Sequence, residues 1–355
     1  MKNIIDNLNQ SPLFNLSLSS KELFHSNFIA WVADTYKEEF GKAFLEGINL
    51  TLENATIQKV YREQKNLDLT FEYQGQTVII ENKVKSVPNK DQLIKYRNKN
   101  GTNKTYILLT LITPTFNPKS IDWQLLTYKD LYSILTKFVA NTKSNNQYHL
   151  SMIKDYTTFI DNLWLLTKTF AVEKSDPYDY LGKEYHTLKE IRLHDLYTKH
   201  KYNRLAKLIQ ESIANDTDIP LEATIVPKYD HSKYKGQLTI STNFVRGKGV
   251  INIDYSNEKD VTYGIMLDGN KYDLYTVAWG SKDSKTVANY LKDTKQWFTF
   301  DFIKEEDSYP KKNDFNKFNK LLYRCAKIKN TTTIEELLKI ITKDVKRLIT
   351  LKFEH

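Results

Sequence analysis

Apolar and polar residues alternate in different ways along the chain. From Ser19 to Tyr36, Leu23, Phe24, Phe28, Trp31 and Val32 recur at helical spacing, and Ser19 with Glu22 forms an S-x-x-E capping box. A helix is predicted there, with Glu22, His25 and Ile29 along an adjacent strip. Met1 to Leu18 reads as a short helix and a loop, and Phe40 to Ile48 as a second helical piece. Ala55 to Glu63 reads as a strand ending in the charged run Arg62-Glu63-Gln64-Lys65. From Leu67 to Tyr73 the period becomes two, with Leu67, Leu69 and Phe71 on one side and Asp68 and Thr70 on the other. Gln74-Gly75-Gln76 is a hairpin signal, and Thr77 to Lys85 is the returning strand. Its alternation puts Ile79, Glu81 and Lys83 on one face and Ile80, Asn82 and Val84 on the other. Pro88 stops it, and Asn89 caps a helix in which Gln92 and Tyr96 share a face.

Tyr106 to Leu109 is a continuous apolar run, as in a buried strand. Trp123 to Val139 reads as strand then helix, and Tyr148 to Thr169 as a long amphipathic helix. The order helix, three strands, helix, strand, helices predicts an α/β fold with a mixed sheet. Around Ala171 to Tyr180 the chain turns polar, so a boundary is predicted between a domain of residues 1–172 and one of residues 173–355. In the second, Tyr185 to Ala214 reads as helix. Short strands from Leu221 to Val277, separated by turns such as Asp268-Gly269-Asn270, predict an antiparallel sheet. Lys285 to Lys292, Asp314 to Ile328 and Thr333 to Leu351 read as helices, making an α+β domain.

Composition narrows the function classes. The single cysteine, Cys325, excludes an intramolecular disulfide and a cysteine-based zinc cluster. No apolar run is long enough to span a bilayer, and Met1 to Gln10 lacks the apolar core of a secretion signal. A cytoplasmic protein without a membrane partner is expected. The formal net charge of +9 favours polyanion partners. No P-loop or G-x-S-x-G elbow is present. His186, Glu190 and His194 lie four apart without an H-E-x-x-H pattern and read as a solvated helix face. Arg246-Gly247-Lys248-Gly249 reads as a basic hairpin turn.

The chemistry concentrates between Leu67 and Tyr96. Asp68 and Glu81 are carboxylates interrupting apolar strand segments, at positions where neighbouring strands bring them together. Two such groups, with the Asn82 carbonyl, are hard oxygen ligands of the kind Mg²⁺ takes. Lys83 shares the face of Glu81 and could reach the same phosphate or water. The plain alternative is a solvated ion pair on a strand face.

Asp68, Glu81-Asn82-Lys83 as E-x-K, and Gln92-Leu93-Ile94-Lys95-Tyr96 as Q-x-x-x-Y resemble the motifs of the PD-(D/E)XK nuclease superfamily, in its RecB-like branch. The segment from Ser19 to about Leu166 is similar to a bacterial family within that superfamily. Leu67 stands where the superfamily's name has proline. The resemblance implies a restriction-endonuclease-like fold. It implies Mg²⁺ or Mn²⁺ held by Asp68, Glu81 and the Asn82 carbonyl, with Lys83 activating water and Gln92 in the catalytic set. Tyr96, Glu22, His25 and Glu63 are possible supports. It further implies a nuclease acting on DNA before RNA, with defence against foreign DNA or DNA processing as its use. The C-terminal half would select substrate, bind a partner protein or form a homodimer. The rival expectation is a non-catalytic or partner-activated nucleic-acid-binding protein that keeps the fold.

Overall fold

A computed structural model describes residues 1–17, 21–64, 66–170, 172–245, 247–257, 260–280, 283–303, 307–310 and 314–352. The chain divides into two compact units, one of Met1–Ala171 with His186–His200, the other of Val172–Tyr185 with Lys201–His355.

The first unit begins with helices α1 (Lys2–Gln10), α2 (Pro12–Leu16), α3 (Glu22–Thr35) and α4 (Lys37–Gly47). Strands β1 (Lys59–Gln64), β2 (Leu67–Tyr73) and β3 (Gln76–Lys83) follow, then α5 (Lys90–Asn100) and β4 (Thr105–Thr110). A short 3-10 helix (Pro118–Ile121), β5 (Gln124–Thr127), α6 (Tyr128–Asn141) and α7 (Gln147–Lys168) complete the run. Among the described residues the five strands form one sheet in chain order, β1 to β5. β1, β2 and β3 are antiparallel neighbours, whereas β3, β4 and β5 run parallel. The change of sense follows from the connections: a two-residue turn at Gln74-Gly75, with Gly75 at φ 76°, reverses the chain, and α5 returns it.

The period-two pattern decides the faces. Leu69, Phe71, Ile80 and Asn82 turn one way, and Phe71 meets Phe40 and Phe44 of α4 edge to face. Ile79 turns the other way into a smaller core with Leu93 of α5, Tyr106, Leu108 and Trp123. β3, central and covered on both faces, is buried from Val78 through Asn82.

The second unit carries β6 (Ala223–Val226), β7 (Leu238–Val245), β8 (Lys248–Ser256), β9 (Val261–Asp268), β10 (Lys271–Ala278), β11 (Asn316–Phe318) and β12 (Leu321–Lys327). Their order in the sheet is β11-β12-β10-β9-β8-β7-β6. Its helices are α10 (Ser284–Asp293), α11 (Ile334–Thr350) and the stretch of α9 (His194–Ala214) from Lys201 onward. Leu205, Ile209, Leu291, Leu337 and Ile341 from these helices join Ile240, Ile253, Ile265 and Leu274 of the sheet in one core.

Several expectations are corrected. Asp314 to Ile328 is not a helix: β11 and β12 form a hairpin, with Asn319 at φ 54° in the turn. Its buried residues Leu322, Arg324, Cys325 and Ala326 are needed to extend the sheet beside β10, which outweighs local helix propensity. Cys325 therefore lies on a strand. Tyr185 to Ala214 is broken into α8 (Tyr185–Glu190) and α9, with Arg192 at φ 58° in the gap, so His186, Glu190 and His194 do not share one helix face. The strands from β7 to β12 pair antiparallel, as expected, and β6 adds a parallel neighbour to β7. Leu23 is 50% exposed, and Lys21 occupies the N-cap of α3 without a side-chain cap bond; Ser19 lies outside the described residues. Arg246 and Lys65 lie outside them as well. Among the described residues no helix is long and apolar enough to cross a membrane.

Candidate active site

The site grows from the place where the β2–β3 ladder ends. Backbone pairing runs from Tyr73 opposite Gln76 to Leu69 opposite Ile80. One residue further on, the Asp68 carboxylate replaces a backbone partner: the Asn82 N–H donates to its Oδ2 at 2.7 Å. Thr70 stands opposite Ile79, so alternation puts Asp68 and Glu81 on one face. The acid of β2 is thus fixed beside the Glu81-Asn82-Lys83 segment.

Glu81 is 2% exposed, and its Oε1 accepts an ion pair from Lys83 Nζ at 2.7 Å. Glu81 Oε2 is buried without a hydrogen-bond partner. Burial, and then the Asp68 charge, push the Glu81 carboxyl up to about 7 against the pull of Lys83. Asp68 is raised as well, first by burial, with the Asn82 amide and Lys83 opposing and Glu22 and Glu63 adding to it. Burial draws the Lys83 ammonium down, but Glu81, Glu22 and Asp68 outweigh it and hold the group above its ordinary value. Buried carboxylates raised this way carry negative charge that their surroundings do not neutralise.

That surplus is the test of whether a metal fits. Among the described residues no group of three or more His, Cys, Asp and Glu side chains forms a complete ligand cage. Two carboxylates suffice for a small hard cation that keeps several waters, and the unpartnered Glu81 Oε2 is an acceptor that such a cation would satisfy. The donor set fits.

Residues 13–158 match the family model described as the PD-(D/E)XK nuclease superfamily. These residues belong to that superfamily. No curated protein and no solved structure matches the chain. The five-stranded mixed sheet, flanked by helices, is consistent with the restriction-endonuclease-like fold of PD-(D/E)XK nucleases.

The matched segment holds its motif from behind through Asn82 and Glu22, which the sequence singled out, and through Ser26 and Tyr128, which it did not. Asn82 is fully buried, and its side chain faces α3 and α6. Its Nδ2 donates to Ser26 Oγ at 3.1 Å and to the Glu22 carbonyl at 3.3 Å, while its Oδ1 accepts from Tyr128 OH at 2.8 Å. Glu22, expected as a cap residue or site acid, uses Oε1 to accept from the backbone N–H groups of Val84, Lys85 and Ser86 at 3.1, 3.2 and 2.9 Å. It clamps the chain just past Lys83. Lys85 Nζ donates to the Arg192 carbonyl at 2.9 Å and pairs with Asp195 at 3.2 Å, tying residues 186–200 to the same turn. The inward face of Asn82 was legible as alternation; its partners Ser26 and Tyr128 carried no local signal.

The remaining candidates are spread around this frame. His25 is fully buried among Phe24, Tyr128, Tyr156 and Phe159, with Nδ1 3.0 Å from Tyr156 OH and Nε2 without a partner. Burial lowers it to about 3, so it is neutral. It belongs to the core behind Asn82. Glu63 falls opposite Asp68 at the exposed end of β1, with φ 51°, between the pairs Arg62–Leu69 and Gln64–Leu67 of one continuous register. Gln92 and Tyr96 are joined on α5 by a bond from Gln92 Nε2 to Tyr96 OH at 2.9 Å, and Tyr96 packs on the core shared with Ile79.

Proposed function

We propose that the protein is a metal-dependent nuclease that hydrolyses phosphodiester bonds, in DNA before RNA. The observation that carries this reading is the shared face of Asp68 and Glu81, with Lys83 2.7 Å from Glu81 and Glu81 Oε2 buried without a partner. Mg²⁺ or Mn²⁺, held by Asp68, Glu81 and the Asn82 carbonyl, would supply charge neutralisation and Lewis acidity at the scissile phosphate.

The protein's own groups do the rest. Lys83 Nζ lies 2.7 Å from Glu81 Oε1 and stands in the site as a hydrogen-bond donor. It orients the attacking water or a phosphate oxygen and stabilises the charge that develops on it. The Asp68–Asn82 bond keeps the two strands from separating at this point. The Asn82 side chain and the Glu22 clamp fix the backbone on both sides of Lys83. Gln92 and Tyr96, on the helix over the Glu81 face, would contact the nucleic acid or brace the site. The net charge of +9 suits a polyanionic substrate. Defence against foreign DNA or DNA processing is the use that we attach to this activity.

The test is incubation of the purified chain with linear DNA, circular DNA and RNA in Mg²⁺, Mn²⁺ or EDTA. Cleavage of DNA that stops in EDTA and in Lys83→Ala is the expected result. Unchanged cleavage by Lys83→Ala would show that the site is elsewhere, and cleavage of no substrate would favour the non-catalytic alternative. Products from the circular substrate would identify an endonuclease.

A further inference from the structure

The sheet of the second unit has two unlike faces. One is the apolar face that meets α9, α10 and α11. The other is polar yet largely buried: Thr239 and Ser241 on β7, Asp254 and Ser256 on β8, Thr262 on β9 and Asp273 on β10 are at most 2% exposed. On this face a groove of about 1080 Å³ runs across β8, β9 and β10.

One rung of the ladder gives the groove its chemistry. Asp254 stands opposite Gly264, and Gly264 stands opposite Tyr275. A Cβ on Gly264 would overlap the Tyr275 ring, so the glycine lets that ring lie across β9. The Tyr275 hydroxyl thereby reaches Asp254 two strands away and donates to its Oδ1. Asp254 Oδ2 is left buried with no partner, on a side chain that lines the groove. Burial pushes the Asp254 carboxyl up to about 7 against the Tyr275 bond, as expected for an acceptor with too few donors. Ser241 Oγ and Asp273 Oδ1, on the same face, are buried without a partner too.

The walls are aromatic. Tyr229, Phe244, Trp279 and Tyr323 line the groove, and Phe318 at its edge is 69% exposed. Trp279 is fixed by His231 stacked on it at 4.0 Å and by its indole N–H donating to Thr262 Oγ1 at 2.8 Å. Lys248 and Lys320, both exposed, add positive charge among the lining residues. A carboxylate oxygen lacking donors, flat aromatic walls and flanking ammonium groups match a flat ring with N–H donors on its edge and an attached phosphate.

We propose that this groove binds a single nucleotide through its base, guanine before the others, with Asp254 accepting from the base edge and Lys248 and Lys320 meeting the phosphate. Guanine offers adjacent imino and amino donors to a carboxylate. Thymine offers one imino donor between two carbonyls that the carboxylate repels. The inference rests on the second unit's sheet and is independent of the phosphodiesterase chemistry, so its failure leaves the nuclease reading intact.

The full-length chain is tested in EDTA. Two arms separate a free nucleotide from a base within a strand: GMP against UMP by calorimetry, and a thymine oligonucleotide carrying one guanine against an all-thymine one by fluorescence anisotropy. A guanine preference of about tenfold or more is expected in at least one arm, lost in Asp254→Asn while all-thymine binding is unchanged. The arm that shows it names the source. Should Asp254→Asn not fold, Trp279→Leu at the partly exposed wall is expected to remove the same preference. Equal affinity for guanine and thymine or uracil ligands in both arms of the wild type would overturn the proposal. So would a guanine preference that survives in folded Asp254→Asn or Trp279→Leu.

Discussion

The Asp68 carboxylate accepts the Asn82 backbone N–H at 2.7 Å at the point where the β2–β3 ladder runs out. One acid of the candidate site thus also holds two strands together. Asn can keep that acceptor while losing the charge. Asp68→Asn is therefore expected to lower DNA cleavage about a hundredfold or more while its thermal unfolding stays close to that of the parent. Retained cleavage, measured under single-turnover conditions, would remove Asp68 from the reaction.

Tyr128 acts on the site through Asn82. In Tyr128→Phe the buried Asn82 Oδ1 loses its 2.8 Å donor, which costs about 1–2 kcal/mol. Denaturant unfolding should record that loss. Cleavage should fall through kcat with KM little changed, because the misplaced group is the strand backbone and not a substrate contact. A loss of stability with kcat intact would assign Tyr128 to the core alone.

Glu22 accepts from three consecutive backbone N–H groups just past Lys83. Glu22→Ala would leave them without that acceptor. Amide hydrogen exchange at Val84, Lys85 and Ser86 should accelerate by about tenfold or more, with β4 amides unchanged. Unaltered exchange at the three positions would mean that the turn is held by other contacts.

His25 makes stability depend on acid. Its folded-state value of about 3 lies below the ordinary 6.5, so between those values the unfolded chain binds the extra proton. Stability then rises with pH across that window and is lost as pH falls from about 6.5 toward 3. Going from pH 7.5 to 5.5 should cost about 1.4 kcal/mol through this group. His25→Phe should remove that contribution, as read from denaturation midpoints at the two pH values. An identical acid sensitivity in the variant would contradict the assignment.

The central site was largely readable as a string. Alternation in Leu67–Tyr73 and Thr77–Lys83, the Gly75 turn and the Pro88-Asn89 stop are local steric facts, and they put Glu81 and Lys83 on one strand face before any packing is known. The Gln92–Tyr96 bond is also local, four residues along one helix. What these patterns could not contain was contact across the chain. Ser26, Tyr128 and Asn82 meet over more than fifty residues in one case and forty-six in the other, and no periodicity encodes a partner at that range.

The same division explains the errors. Asp314 to Ile328 becomes a hairpin because β10 offers its edge to β12, a demand made by the sheet and not by the segment. Tyr185 to Ala214 breaks at Arg192, whose carbonyl takes the Lys85 ammonium from a turn a hundred residues earlier. Sequence alone determined the elements around the candidate site, the faces of β2 and β3, and the residue types able to handle a phosphodiester. Tertiary structure decided that Glu22 clamps a backbone, that His25 is a neutral core group, and that Gly264 opens a path from Tyr275 to Asp254. Periodicity is set by the geometry of one segment, whereas burial and hydrogen-bond satisfaction are set by what other segments bring to it.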